Sequence, residues 1–131
     1  MPEPGSWEEF VRSHTKLQHY RAADGLLWDG GRIQAAFGLR TADWHKLLKL
    51  QGLSMHEIAS PGSPRHQECL AQMVGALVLE LVLKPGDFKR WLRKPNAEFS
   101  RMRPLALLLS RPDGLELLGN LAHDVLTGQP G

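Results

Sequence analysis

SPRHQECLAQMVGALVLELVLKPG, residues 63–86, is the stretch on which the architecture turns. Ser63 suits a helix N-cap, and Pro64 suits the first helical position, where its missing N–H is no loss. From there to about Leu83, Leu70, Met73, Val74, Leu77, Val78, Leu81 and Val82 make most of the helix circumference apolar. Such a helix is either enclosed by its neighbours or shared with another subunit. Lys84-Pro85-Gly86 ends it. The apolar run from Cys69 to Leu83 is 15 residues long and contains Gln72 and Glu80, too short and too polar to span a bilayer. The pattern predicts a central helix with the rest of the chain packed around it. Its surplus apolar surface predicts a homodimer or a larger assembly.

Upstream, SWEE at 6–9 fits a capping box, and Trp7, Phe10, Val11, Leu17 and Tyr20 recur at helical spacing, with His14 interrupting. Asp29-Gly30-Gly31 is expected to stop that segment. Residues 32–53, RIQAAFGLRTADWHKLLKLQGL, then carry apolar residues at helical intervals around Gly38-Leu39, with Gly52 as a C-terminal stop. Ser54 and Glu57 offer a second capping box, and Ser60-Pro61-Gly62 ends that short helix. Downstream, Asp87 can cap a helix from Phe88 to about Arg93. Pro104 starts another, Pro112-Asp113-Gly114 makes a turn, and residues 115–127 form a last helix stopped by Gly128. No useful stretch alternates with a period of two. The fold class is all-α, with a helical N-terminal region over 1–62 and a second unit over 63–131.

The composition is that of a globular chain: 131 residues, 42% hydrophobic and 23% charged. That length makes one domain, or two small ones sharing a core. The net charge of +2 names no partner, but its distribution is uneven. Residues 84–111 hold eight Lys/Arg against Asp87 and Glu98, whereas residues 112–131 hold three acids and no Lys or Arg. A single cysteine, Cys69, forms no intramolecular disulfide and suits a reducing cytoplasm. The N-terminus MPEPGSWEEF has neither the basic nor the apolar region of a secretory signal. The expected location is cytoplasmic, without membrane contact.

Catalytic signals are absent. The six histidines show no HExxH or HxxxH pairing, and one cysteine makes no zinc site. There is no GxSxG, no phosphate-cradling glycine loop and no GxGxxG. The sequence calls for no cofactor and no metal, and a non-enzymatic protein is expected.

Residues 32–53 fit a helix-turn-helix. That motif needs a first helix ending on an apolar residue, a glycine admitting positive φ, an apolar turn residue and a second helix with one polar face. Ile33, Phe37, Gly38, Leu39, Trp44 and Leu47 stand in those places in order. Arg40, Thr41, His45, Lys46 and Lys49 would face outward, within reach of phosphates or base edges of operator DNA. A plain helical hairpin with a glycine turn has the same pattern.

The segment WLRKPNAEFSRMRPLALLL, 91–109, joins the short helices. Pro95 forces Lys94 out of helical geometry and Asn96 favours a turn, so Trp91 ends a helix beside a fixed corner. The nearby cations, Arg101 and Arg103 among them, are either solvated or aimed at a partner. The order Trp91-Leu92-x-x-Pro95-Asn96, then Pro104-Leu105-x-Leu107-Leu108, then Gly114 and a helix with Leu118, Leu121, Val125 and Gly128 resembles the toxin-binding domain of the Xre/MbcA/ParS antitoxins. The resemblance covers about residues 69–128. It implies an all-α antitoxin, commonly dimeric, that binds and neutralises a RES-domain toxin degrading NAD⁺ and often represses its own operon. Carried over by position, Trp91, Pro95, Asn96, Pro104, Leu105 and Gly114 are the signature residues, with Arg101 and Arg103 on the same partner-facing surface. The family often has Gly-Gly after the apolar residue that follows Pro-Asn, where this chain has Ser100-Arg101 after Phe99. The rival expectation is a stand-alone regulator, or an adaptor, whose C-terminal half only dimerises.

Overall fold

The central helix is α5, Pro64–Ala76, and a 3-10 segment, Leu77–Leu81, continues it. The computed structural model describes residues 15–81, 83 and 86–127. Before α5 in the chain come α1 (Thr15–Gln18), α2 (Gly30–Phe37), α3 (Thr41–Leu50) and α4 (Met55–Ala59). α6 (Asp87–Leu92), a 3-10 turn at Ala97–Phe99, α7 (Pro104–Ser110) and α8 (Gly114–Thr127) follow it. The described residues contain no strand, only isolated bridges between Arg21 and Trp28 and between Asn96 and Met102. The fold is all-α. No described helix is long and apolar enough to cross a membrane.

Local chemistry accounts for the helix ends. Ser63 Oγ accepts from the His66 N–H and Pro64 opens α5. In α4 the Ser54 hydroxyl accepts from Glu57 N–H at 3.1 Å while Glu57 Oε1 accepts from Ser54 N–H at 2.8 Å, a complete capping box. Asp29 Oδ1 accepts from Arg32 N–H at 3.1 Å and caps α2. Gly30 and Gly31 therefore form the first turn of a helix instead of a stop. Asp87 likewise lies inside the first turn of α6, paired with Arg90, and Gly86 (φ +84°) holds the cap position.

The apolar face of α5 is covered by the rest of the described chain, while Arg65, Glu68 and Gln72 on its other side are exposed. Cys69, Leu70, Met73, Val74, Ala76, Leu77, Val78 and Leu79 are all buried, the Leu, Met and Val side chains contributing about 1.5–3 kcal/mol each. The surplus apolar surface that predicted a dimer is thus absent as far as Leu79, because α8, α2 and α6 cover it. The helix also ceases to be α-helical at Leu77, earlier than its pattern predicts. There α1, α6 and α8 surround the chain, and Leu77, Val78 and Leu79 are all buried among them. His66, 3% exposed, is satisfied by the Glu57 carbonyl 2.9 Å from Nδ1.

One cluster of buried side chains runs from Leu17 and Tyr20 through Ile33, Phe37, Trp44, Leu47 and Leu70 to Phe88, Leu92, Leu108, Leu115 and Ala122. α2 meets α6 where the Phe37 and Phe88 rings pack edge to face, 5.3 Å between centroids. α3 packs on α7, and Gln51 Nε2 donates to Pro112 O at 3.2 Å where those helices end. The capping box at 6–9, the helical positions Trp7, Phe10 and Val11, the Lys84-Pro85 break and the Gly128 stop lie outside the described residues.

Candidate interaction site

α6 ends at the buried Leu92, and Trp91 beside it is half-buried with its ring stacked on Phe88, 6.2 Å between centroids. Since Phe88 also touches Phe37, this stack ties the following corner to α2. After Pro95 the backbone is extended at Asn96 (φ −127°), which caps the 3-10 turn that follows it. Asn96 then closes a ring. Its Oδ1 accepts from Glu98 N–H at 2.9 Å and its carbonyl accepts from Phe99 N–H at 3.0 Å and Arg101 N–H at 2.9 Å. Its own N–H donates to Met102 O at 3.0 Å. To close this ring within so few residues the chain turns through the left-handed region at Ser100 (φ +53°) and Arg101 (φ +65°).

The signature positions divide by burial. Pro95, Arg101 and Arg103 are exposed, Trp91, Asn96 and Leu105 are half-buried, and Pro104 and Gly114 are buried. Pro104 and Gly114 therefore do not present themselves to a partner: they shape the surface. Pro104 opens α7, and Gly114 lies so close to α7 that an added Cβ would sit 2.3 Å from Leu107 O. The cations divide too. Arg90 pairs with Asp87, and Arg111 Nη2 stands 2.8 Å from Asp113 Oδ2. Arg93 turns inward: Nη2 donates to Gly38 O at 2.8 Å and to Phe37 O at 3.3 Å, while Nη1 donates to Lys89 O at 2.8 Å. Lys89, Lys94, Arg101 and Arg103 remain exposed.

The second surface is the outer side of α3. Gly38 has φ +68° and ends α2, with its N–H on Ala35 O and Leu39 N–H on Gln34 O. Ile33, Phe37, Leu39, Trp44 and Leu47 are buried, while Arg40, Thr41, His45, Lys46 and Lys49 are all exposed. Arg40 stands 3.7 Å from Asp43, a loose pair on the surface. These positions divide into inner and outer faces as read, a division that a plain helical hairpin shares.

Two residues of these surfaces have no distinguishing signal in the sequence. Arg93 was one cation among eight, and nothing in its spacing pointed to the carbonyls of a turn 55 residues earlier. Met102 is 41% exposed between Arg101 and Arg103. Burial pushes the Cys69 thiol up to about 12, and among the described residues no three His, Cys, Asp or Glu side chains gather as a metal site would require. No family model, curated protein or solved structure matches this chain.

Proposed function

We propose that this chain is the antitoxin of a type II toxin–antitoxin pair, a non-catalytic protein that neutralises a RES-domain, NAD⁺-degrading toxin by covering its active site. The observation that carries the reading is the backbone of Ser100 and Arg101, both left-handed. The family this chain resembles often has Gly-Gly there, and glycine is the residue that conformation favours. A rigid corner of this kind suits a partner that must be met by shape, since a preorganised surface loses little on binding. The test is co-expression with a RES-domain protein encoded beside this chain. Protection of cells and co-purification of the pair are expected, and a wild-type chain that does neither refutes the reading.

A second reading concerns DNA. The exposure of Arg40, Thr41, His45, Lys46 and Lys49 along one side of α3 supports operator binding through that helix, and with it repression of the chain's own operon. Binding to its promoter fragment in the absence of any RES partner would favour a stand-alone regulator instead.

A further inference from the structure

Met102 is open to solvent although its backbone is held at both ends. Its N–H donates to Phe99 O at 2.9 Å and its carbonyl accepts from Asn96 N–H at 3.0 Å. A loose loop is therefore not the cause of its exposure. On either side stand Arg101 and Arg103, both exposed, and among the described residues neither guanidinium has an ion pair. Arg101 keeps its side chain at φ +65°, where glycine would be less strained. No hydrogen bond within the described chain uses that side chain, so the fold does not account for it. Nor is the loop a backbone cradle for a bare anion. The N–H groups of Phe99, Ser100, Arg101 and Met102 are all taken, by Asn96, Ala97, Asn96 and Phe99 carbonyls in turn. What the loop offers is side chains.

We propose that Arg101, Met102 and Arg103 form one anchor: Met102 enters an apolar socket on a partner protein, and the two guanidiniums meet carboxylates on the socket's rim. This rests on the antitoxin reading and narrows the partner's chemistry to an apolar pocket with an acidic margin. Methionine and arginine are both enriched at protein interfaces, and a fixed apolar side chain between charges makes a contact centre with an ionic rim. Nucleic acid would use the arginines and leave Met102 idle.

The test measures affinity of the full chain for the RES-domain protein encoded beside it, at low and high salt, with the melting temperature of each variant alongside. Met102→Ala should weaken binding roughly tenfold or more at both salt concentrations. Arg101→Gly should melt at a higher temperature than wild type yet bind more weakly, and Arg103→Ala should also bind more weakly, both losses being larger at low salt. Ser100→Gly should gain stability and keep its affinity. Met102→Ala binding within about twofold of wild type overturns the anchor, since a contact centre costs more than that to remove. Unchanged affinity in Arg101→Gly overturns it equally. If Met102→Ala is neutral and duplex DNA displaces the arginine-dependent binding, the surface belongs to nucleic acid and the anchor is refuted. If wild type does not bind the RES-domain protein at all, both readings fall; if wild type and all variants bind alike, only the anchor does.

Discussion

At Gly114 a single added methyl group would lie 2.3 Å from the Leu107 carbonyl oxygen and 2.7 Å from its carbon. Backbone cannot swing aside as a side-chain tip can, so α7 and α8 would have to separate where Arg111, Pro112 and Asp113 hold them together. Gly114→Ala is expected to destabilise by about 3 kcal/mol, read as a lower urea midpoint with an unchanged slope. Cys69 makes the opposite case, a residue that chemistry cannot reach. With its thiol pushed to about 12 by burial, it presents almost no thiolate at neutral pH. The folded protein should resist alkylation that goes to completion in denaturant, and rapid labelling of the folded chain would contradict that burial. Both residues were visible in the sequence, but only in part. Cys69 was legible as an unpaired thiol, and Gly114 as a turn glycine. The close approach at Gly114 was not legible, because the atom that forbids a side chain belongs to another helix.

For the elements, what could be read was what is local. The caps at Ser54 and Ser63 and the break at Gly38 each involve side chains and amides within a few residues, so sequence order is nearly spatial order. The change from α-helix to 3-10 at Leu77 escaped the pattern. Leu77, Val78 and Leu79 suit either geometry, so their residue types do not mark the change, and three neighbouring helices contact the segment where it occurs. The corner at 93–104 was half legible: Pro95-Asn96 announced a turn, but its closure through Met102 O did not follow from residue types. α3 carries its own test. If its outer face meets DNA, Lys46→Ala with Lys49→Ala should lower the slope of log affinity against log salt by about two, roughly one per lost phosphate contact. Both residues are exposed, so circular dichroism should be unchanged. An unaltered slope would leave α3 as one arm of a structural hairpin.

Over the whole molecule, the buried cluster joins α2 and α3 to α6, α7 and α8 without a gap. The N-terminal helices and those after α5 should therefore unfold together. Heating followed by far-ultraviolet circular dichroism and by tryptophan fluorescence should give coincident transitions, with calorimetric and van't Hoff enthalpies equal. Residues 63–131 made alone should fail to give a cooperative transition, because the Phe88 ring that packs on Phe37 and the Leu70 side chain that lies beside Gly30 would meet water. Two separated transitions in the intact chain would show that the halves are stable units. Charge distribution foretold none of this, since Arg93, Arg90 and Arg111 spend their charge within the chain.

Arg93, reaching from the end of α6 to the carbonyls of Phe37 and Gly38, bears on how such a chain can change over generations. A recombination event that replaced α2 and α3 with a helix pair from elsewhere would strand a guanidinium at the seam and deprive the glycine turn of its donor. The two halves are therefore expected to exchange poorly as cassettes. Point substitution along the outer side of α3 or at residues 101–103, where the side chains are exposed, would leave that joint undisturbed.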